Sequence, residues 1–182
     1  MSDNQAPLYG VMAAFDSPDA LIAASKAVVK AGYSKFDTYT PFPVHGIEKA
    51  MNLKPSPLPW LVLCGGLFGA AAGFSLQTWV SIKGYALVIS GKPLFSYQAF
   101  VPVTFELMIL FSAFATVFGM FAINKLPQYY HPVFTQKCFE SVTTDGFFLV
   151  IESADPKFEL ANVRQFLEKN GGQTIVDVRD EG

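Results

Sequence analysis

Two long apolar runs interrupt an otherwise ordinary alternation of hydrophobic and polar residues. The first, Leu58 to Ile82, lies in a stretch with no Asp, Glu, Lys or Arg between Lys54 and Lys83; the second covers Val103 to Ile123. A helix needs about 20 residues to cross a hydrocarbon core of roughly 30 Å. Both runs reach that length, which predicts a hairpin of two membrane-spanning helices at about 58–82 and 102–124. One such run is compatible with the buried core helix of a soluble protein, but two in 182 residues leave too little chain to bury both.

The flanks read differently. Leu8 to Phe15 is strand-like, and Asp16-Ser17-Pro18 then signals a helix start, with Ser17 as N-cap and Pro18 in the first helical position. Leu21, Ile22, Val28 and Val29 form the apolar face of that helix, Gly32 ends it, and a second strand is expected over Phe36 to Phe42. Beyond the hairpin the same order recurs. A strand at Gly146 to Glu152 leads to a helix opened by Asp155-Pro156, with Phe158, Leu160, Val163, Phe166 and Leu167 facing inward, and then to a closing strand at Thr174 to Val178. Two βαβ units of matched size predict an α+β membrane protein, a ferredoxin-like split βαβ domain interrupted by its own two-helix transmembrane hairpin. Residues 1–57 and 125–182 would be its halves and 58–124 the hairpin. The Asp145-Gly146 turn suggests an additional hairpin strand over Lys137 to Thr143.

Composition sharpens this picture. Charged residues make up 15% of the chain against about a quarter in ordinary soluble proteins, and the deficit lies in the two runs. A net charge of -2 with no basic stripe argues against a nucleic-acid partner. Lys83 and Lys92 lie between the runs and the other eleven basic residues in the flanks, so the positive-inside rule places both termini in the cytoplasm. The polar start, Met1 to Pro7, has no signal-peptide pattern and agrees. Trp79, Tyr85, Phe95, Tyr97 and Phe100 would then form an outer aromatic belt. Cys64 and Cys138 would fall in different environments, so no disulfide is expected.

Three features are candidates for function. Gly65, Gly69 and Gly73 repeat every fourth residue and clear one stripe of the first helix for close backbone approach, either by the hairpin's own second helix or, as three glycines in series favour, by a larger membrane partner. Glu106 is the one charged residue in either run; Pro102 would open the second helix, placing Glu106 in its first turns near the water interface. There the helix dipole and headgroups tolerate it as an anchor of the helix end, with a partner contact or a proton site as the alternatives. His45 and His131, with no Cys or carboxylate cluster beside them, make a poor metal or haem site. No phosphate loop, triad or paired-carboxylate motif appears, so no catalytic, cofactor-binding or metal residue is expected in this chain.

A family resemblance rests on three segments in order. They are Thr40-Pro41-Phe42-Pro43-Val44-His45-Gly46 before the first run; Gly91-Lys92-Pro93 with Pro102-Val103-Thr104-Phe105-Glu106-Leu107 leading into the second; and Asn124-Lys125-Leu126-Pro127 with His131-Pro132-Val133-Phe134 after it. The chain resembles the small two-helix D subunit of bacterial alternative complex III, a quinol-oxidising respiratory assembly, from Tyr9 to about Val178. The resemblance implies partners in the bacterial inner membrane: polytopic subunits holding the quinol site, a multihaem cytochrome and an iron–sulfur protein. Haem c and iron–sulfur clusters would sit in those partners and none in this chain. It implies an accessory structural or assembly role and transfers no catalytic role to Glu106 or His45. The competing reading is a free-standing membrane-anchored sensor whose ferredoxin-like domain binds a ligand.

Overall fold

A computed structural model describes residues 6–180. Residues 1–5, most of the polar start on which the signal-peptide reading rests, lie outside the described residues. In chain order the elements are β1 (Leu8–Phe15), α1 (Pro18–Ala31), β2 (Phe36–Tyr39), α2 (Ile47–Ala50), α3 (Leu58–Trp79), α4 (Tyr97–Ile123), β3 (Phe147–Glu152), α5 (Leu160–Lys169) and β4 (Gln173–Arg179). They divide into two compact units: Met1–Lys54 together with Tyr129–Gly182, and Pro55–Gln128.

The first unit is α+β, built on one four-stranded antiparallel sheet of order β2-β3-β1-β4. The two central strands come from opposite sides of the hairpin in sequence, with Val11 opposite Ile151 and Phe15 opposite Phe147. Side chains alternate between the two faces of a strand. Val11, Ala13, Phe15, Leu149 and Ile151 meet Leu21, Ala24 and Val28 of α1 and Val163 and Leu167 of α5 on one face. Met12, Phe148, Val150 and Val178 line the other, where Val133 and Phe139 cover them. Burial on both faces explains why Val11, Met12 and Ala13 are all fully buried although they are consecutive.

Local signals operate where the chain makes its own contacts. The Ser17 side chain accepts the Ala20 N–H at 3.2 Å, and Gly32, at φ 85°, ends α1 with its N–H donated to Val29. Three expectations change. Lys137–Thr143 is not a strand but a 3-10 helix that follows another at Pro132–Thr135. The Ser141 carbonyl gathers the N–H groups of Thr144, Asp145 and Gly146, closing a helical turn into β3. An edge strand here would have left Met12, Phe148 and Val150 uncovered, which Val133 and Phe139 prevent. β2 stops at Tyr39 because Pro41 and Pro43 have no N–H to pair and Thr40 Oγ1 turns onto the Phe42 carbonyl at 2.8 Å.

The third change concerns Asp155. It does not open α5, which starts at Leu160, so α5 has 10 residues against 14 in α1 and the matched lengths disappear. The buried Asp155 carboxylate instead accepts the Ser34 N–H at 2.6 Å, the Lys35 and Lys157 N–H groups at 2.8 Å and the Ser34 hydroxyl at 3.1 Å. It organises the loop before α5 and the entry to β2 together. Leu160, expected inside, is exposed, whereas Val163 and Leu167 are buried.

The second unit contains two helices long and apolar enough to cross a membrane. They pack antiparallel along their length, Gly65 lying near Ala115 and Gly73 near Thr104. α4 begins at Tyr97 and runs through Pro102, against the expected start at 102. Pro102 removes one N–H from the helix ladder, but Phe100 is buried against Phe74 and Phe95 and holds the extra turn in place. Phe100 thereby leaves the expected aromatic belt, while Trp79, Tyr85, Phe95 and Tyr97 remain exposed.

Candidate functional site

The glycine stripe of α3 faces α4. A Cβ on Gly65 would sit 2.7 Å from the Ala115 Cβ and 3.1 Å from the Phe111 carbonyl oxygen, and one on Gly73 would sit 3.0 Å from Leu107 Cδ1. At Gly69 it would run into the Leu107 carbonyl oxygen itself. Gly119 answers from α4, where an added Cβ would meet Leu61 and Leu58 at 2.8 and 2.9 Å. The expectation that the stripe receives a larger partner is therefore corrected. Backbone-to-backbone approach over about two turns uses the room the glycines create, and any other subunit must meet different faces.

A polar tie strengthens this contact. Gln77 Nε2 lies 3.1 Å from the Gly73 carbonyl, 3.0 Å from the Phe100 carbonyl and 3.3 Å from Thr104 Oγ1, so its two N–H groups bind α3 to α4. Sequence reasoning missed it, although Gln77 is the one amide side chain in the run from Leu58 to Ile82. Ser112 and Thr116 satisfy their hydroxyls on α4's own carbonyls and contribute no such tie.

Glu106 is the tenth residue of α4, not a first-turn residue, and it is exposed on the hairpin's outer surface. It makes no hydrogen bond or ion pair with another described residue. Its neighbours one helical turn away, Pro102, Val103, Ile109 and Leu110, are all apolar and exposed. The structure thus separates the two sequence candidates: the glycines are internal to the hairpin and the carboxylate points outward.

The α+β unit holds a polar cluster that sequence reasoning did not assemble. β1 slips register against β4 between Leu8 and Gly10, and this bulge turns Tyr9 to the face covered by Val133 and Phe139. Gly10 permits the bend because a Cβ there would collide with the Ile151 carbonyl oxygen. Tyr9 Oη lies 3.3 Å from His131 Nε2 and donates to Glu152 Oε1 at 3.4 Å. The Val133 N–H points at His131 Nδ1 at 3.4 Å. Tyr39 packs edge-on to the His131 ring. Burial and then the Glu152 charge push the Tyr9 hydroxyl up to about 12; burial raises Asp37, against the opposing pull of the Thr38 N–H and His131. These groups pin the segment after the hairpin onto the sheet. His45 lies elsewhere, in a depression lined by Val44, Gly46, Glu48 and Lys49. Among the described residues no three His, Cys, Asp or Glu side chains converge as a metal site.

Comparison with curated proteins finds no match. The family model described as "Alternative complex III, ActD subunit" matches residues 9–177, from the bulged Tyr9 to the last strand. Because that match takes in both halves of the sheet and the whole hairpin between them, the chain belongs to the ActD subunit family of alternative complex III.

Proposed function

We propose that this chain is a cofactor-free structural and assembly subunit of alternative complex III, held among its neighbours by the outer surface of its hairpin. The family places it in that respiratory complex, and quinol oxidoreductase activity belongs to the complex. One observation carries the structural role. α3 and α4 satisfy each other through the glycine stripe and Gln77, which leaves the apolar outer faces, with Glu106 among them, for other subunits. Those neighbours would be the polytopic quinol-site subunits, with the multihaem cytochrome and iron–sulfur protein carrying haem c and the clusters.

The strand order β2-β3-β1-β4 with α1 and α5 on one face supports the ferredoxin-like, split βαβ reading of the α+β unit. The sensor alternative needs a polar pocket in the α+β unit, and the sheet face away from α1 and α5 is covered by Val133 and Phe139. Mild detergent extraction followed by mass spectrometry tests the assignment. Haem-containing partners should co-purify with this chain in fixed ratio, and a homo-oligomer alone would favour the sensor.

The lysine asymmetry supports a two-pass topology in the inner membrane with both termini cytoplasmic. In a background lacking Cys64 and Cys138, an impermeant thiol reagent applied to the outer face should label Ser90→Cys and leave Asp180→Cys untouched. The reverse pattern would invert the topology.

A further inference from the structure

A hydrocarbon core centred on α4 takes in Glu106. The 27 residues of α4 rise about 40 Å, roughly 10 Å more than a hydrocarbon core, and nine residues precede Glu106, a rise of about 14 Å. With the core centred on the helix, Glu106 therefore sits roughly 9 Å inside it. A two-methylene side chain cannot span that depth as a lysine stem does. The carboxylate faces outward among Val103, Ile109 and Leu110, and α3 offers it nothing.

Its complement must come from another polypeptide. No Lys, Arg or His occurs from residue 55 to 82 or from residue 93 to 124, so neither this hairpin nor a second copy of it can supply a cation at that depth. Lipid headgroups lie above it. An open groove of about 430 Å³ begins one turn along α4 from Glu106, lined by Leu63, Gly66 and Leu67 of α3 and by Met108, Ile109 and Ser112 of α4. A partner helix seated in the groove over Ile109 and continuing along α4 would pass Glu106 one turn further on.

We infer that this face of the hairpin docks a transmembrane helix of a partner subunit, and that this helix presents a Lys or Arg side chain to Glu106. The inference rests on the subunit reading above. A carboxylate pairing with a cation away from water both anchors the helix and fixes its register.

The test uses the whole complex. Yield of this chain with its partners in mild detergent should fall in the order wild type, Glu106→Gln, Glu106→Leu, Glu106→Lys, with at least a tenfold loss for the last. Leu inserts into a membrane more readily than Glu, so its loss cannot be assigned to failed insertion. A photo-crosslinking amino acid at Leu110 should attach to a partner peptide with Lys or Arg within one turn of the attachment point. Wild-type yield for both Glu106→Leu and Glu106→Lys would overturn the inference, as would crosslinks confined to lipid or to a second copy of this chain. If the wild-type chain itself brings down no haem protein, it is the subunit assignment that fails.

Discussion

Gly69→Leu is expected to force the hairpin apart. Even the Cβ of the new residue would collide with the Leu107 carbonyl oxygen and press the Phe111 Cβ at 2.9 Å, and both belong to α4 rather than to a flexible tip. Overpacking a well-filled interior costs about 1–3 kcal/mol when side chains can yield. Here a backbone must move, and the displacement also draws Gln77 away from Phe100 and Thr104. We expect the upper end of that range or beyond, a melting transition of the detergent-solubilised chain lower by about 10 °C, and loss of the chain from the purified complex. Gly69→Ala should give a smaller change of the same sign. A Gly69→Leu protein that melts like wild type and co-purifies at full stoichiometry would refute the α3–α4 contact described above.

Asp155→Ala is expected to destabilise the α+β unit by about 3 kcal/mol, since it leaves three backbone N–H groups without their acceptor in a buried turn. Burial alone would raise the carboxyl's pKa, but donation by the Ser34, Lys157 and Lys35 N–H groups outweighs it and holds the pKa at about 2. The sign of the pH dependence follows. A carboxyl whose folded pKa lies below its unfolded value binds fewer protons when folded, so its stabilisation is full at neutral pH and fades as pH falls from about 4 toward 2. Denaturant melts of the wild-type chain across that interval should lose stability with acid, and the Asp155→Ala protein should show a shallower slope. Equal slopes would mean that the loop is held by something other than this carboxylate.

What was legible in the sequence is what the chain decides locally. The apolar length of α3 and α4, the Ser17 cap, the Gly32 stop and the strand patterns around Val11 and Leu149 each depend on residues within a turn or two of one another. The resemblance carried by the Thr40–Gly46 and Pro102–Leu107 segments led to the family that matches residues 9–177. The Gly65–Gly69–Gly73 spacing likewise announced a close helix contact, because glycine at every fourth position bares one stripe whatever faces it.

Which backbone fills that stripe is a matter of distance, and only the tertiary structure gave it to α4. The same holds for Asp155. Its side chain reaches back 121 positions to Ser34, so the Asp-Pro signal that reads locally as a helix start is spent on a long-range turn. Residues 137–143 had strand-compatible chemistry, but the uncovered face of Met12 and Val150 required Phe139 more than the sheet required another edge. The sequence placed Glu106 in a helix by its neighbours, whereas the direction it faces depends on which face of α4 meets α3. Thr104, Leu107, Phe111 and Ala115 take the positions against the glycines, which leaves the carboxylate facing outward.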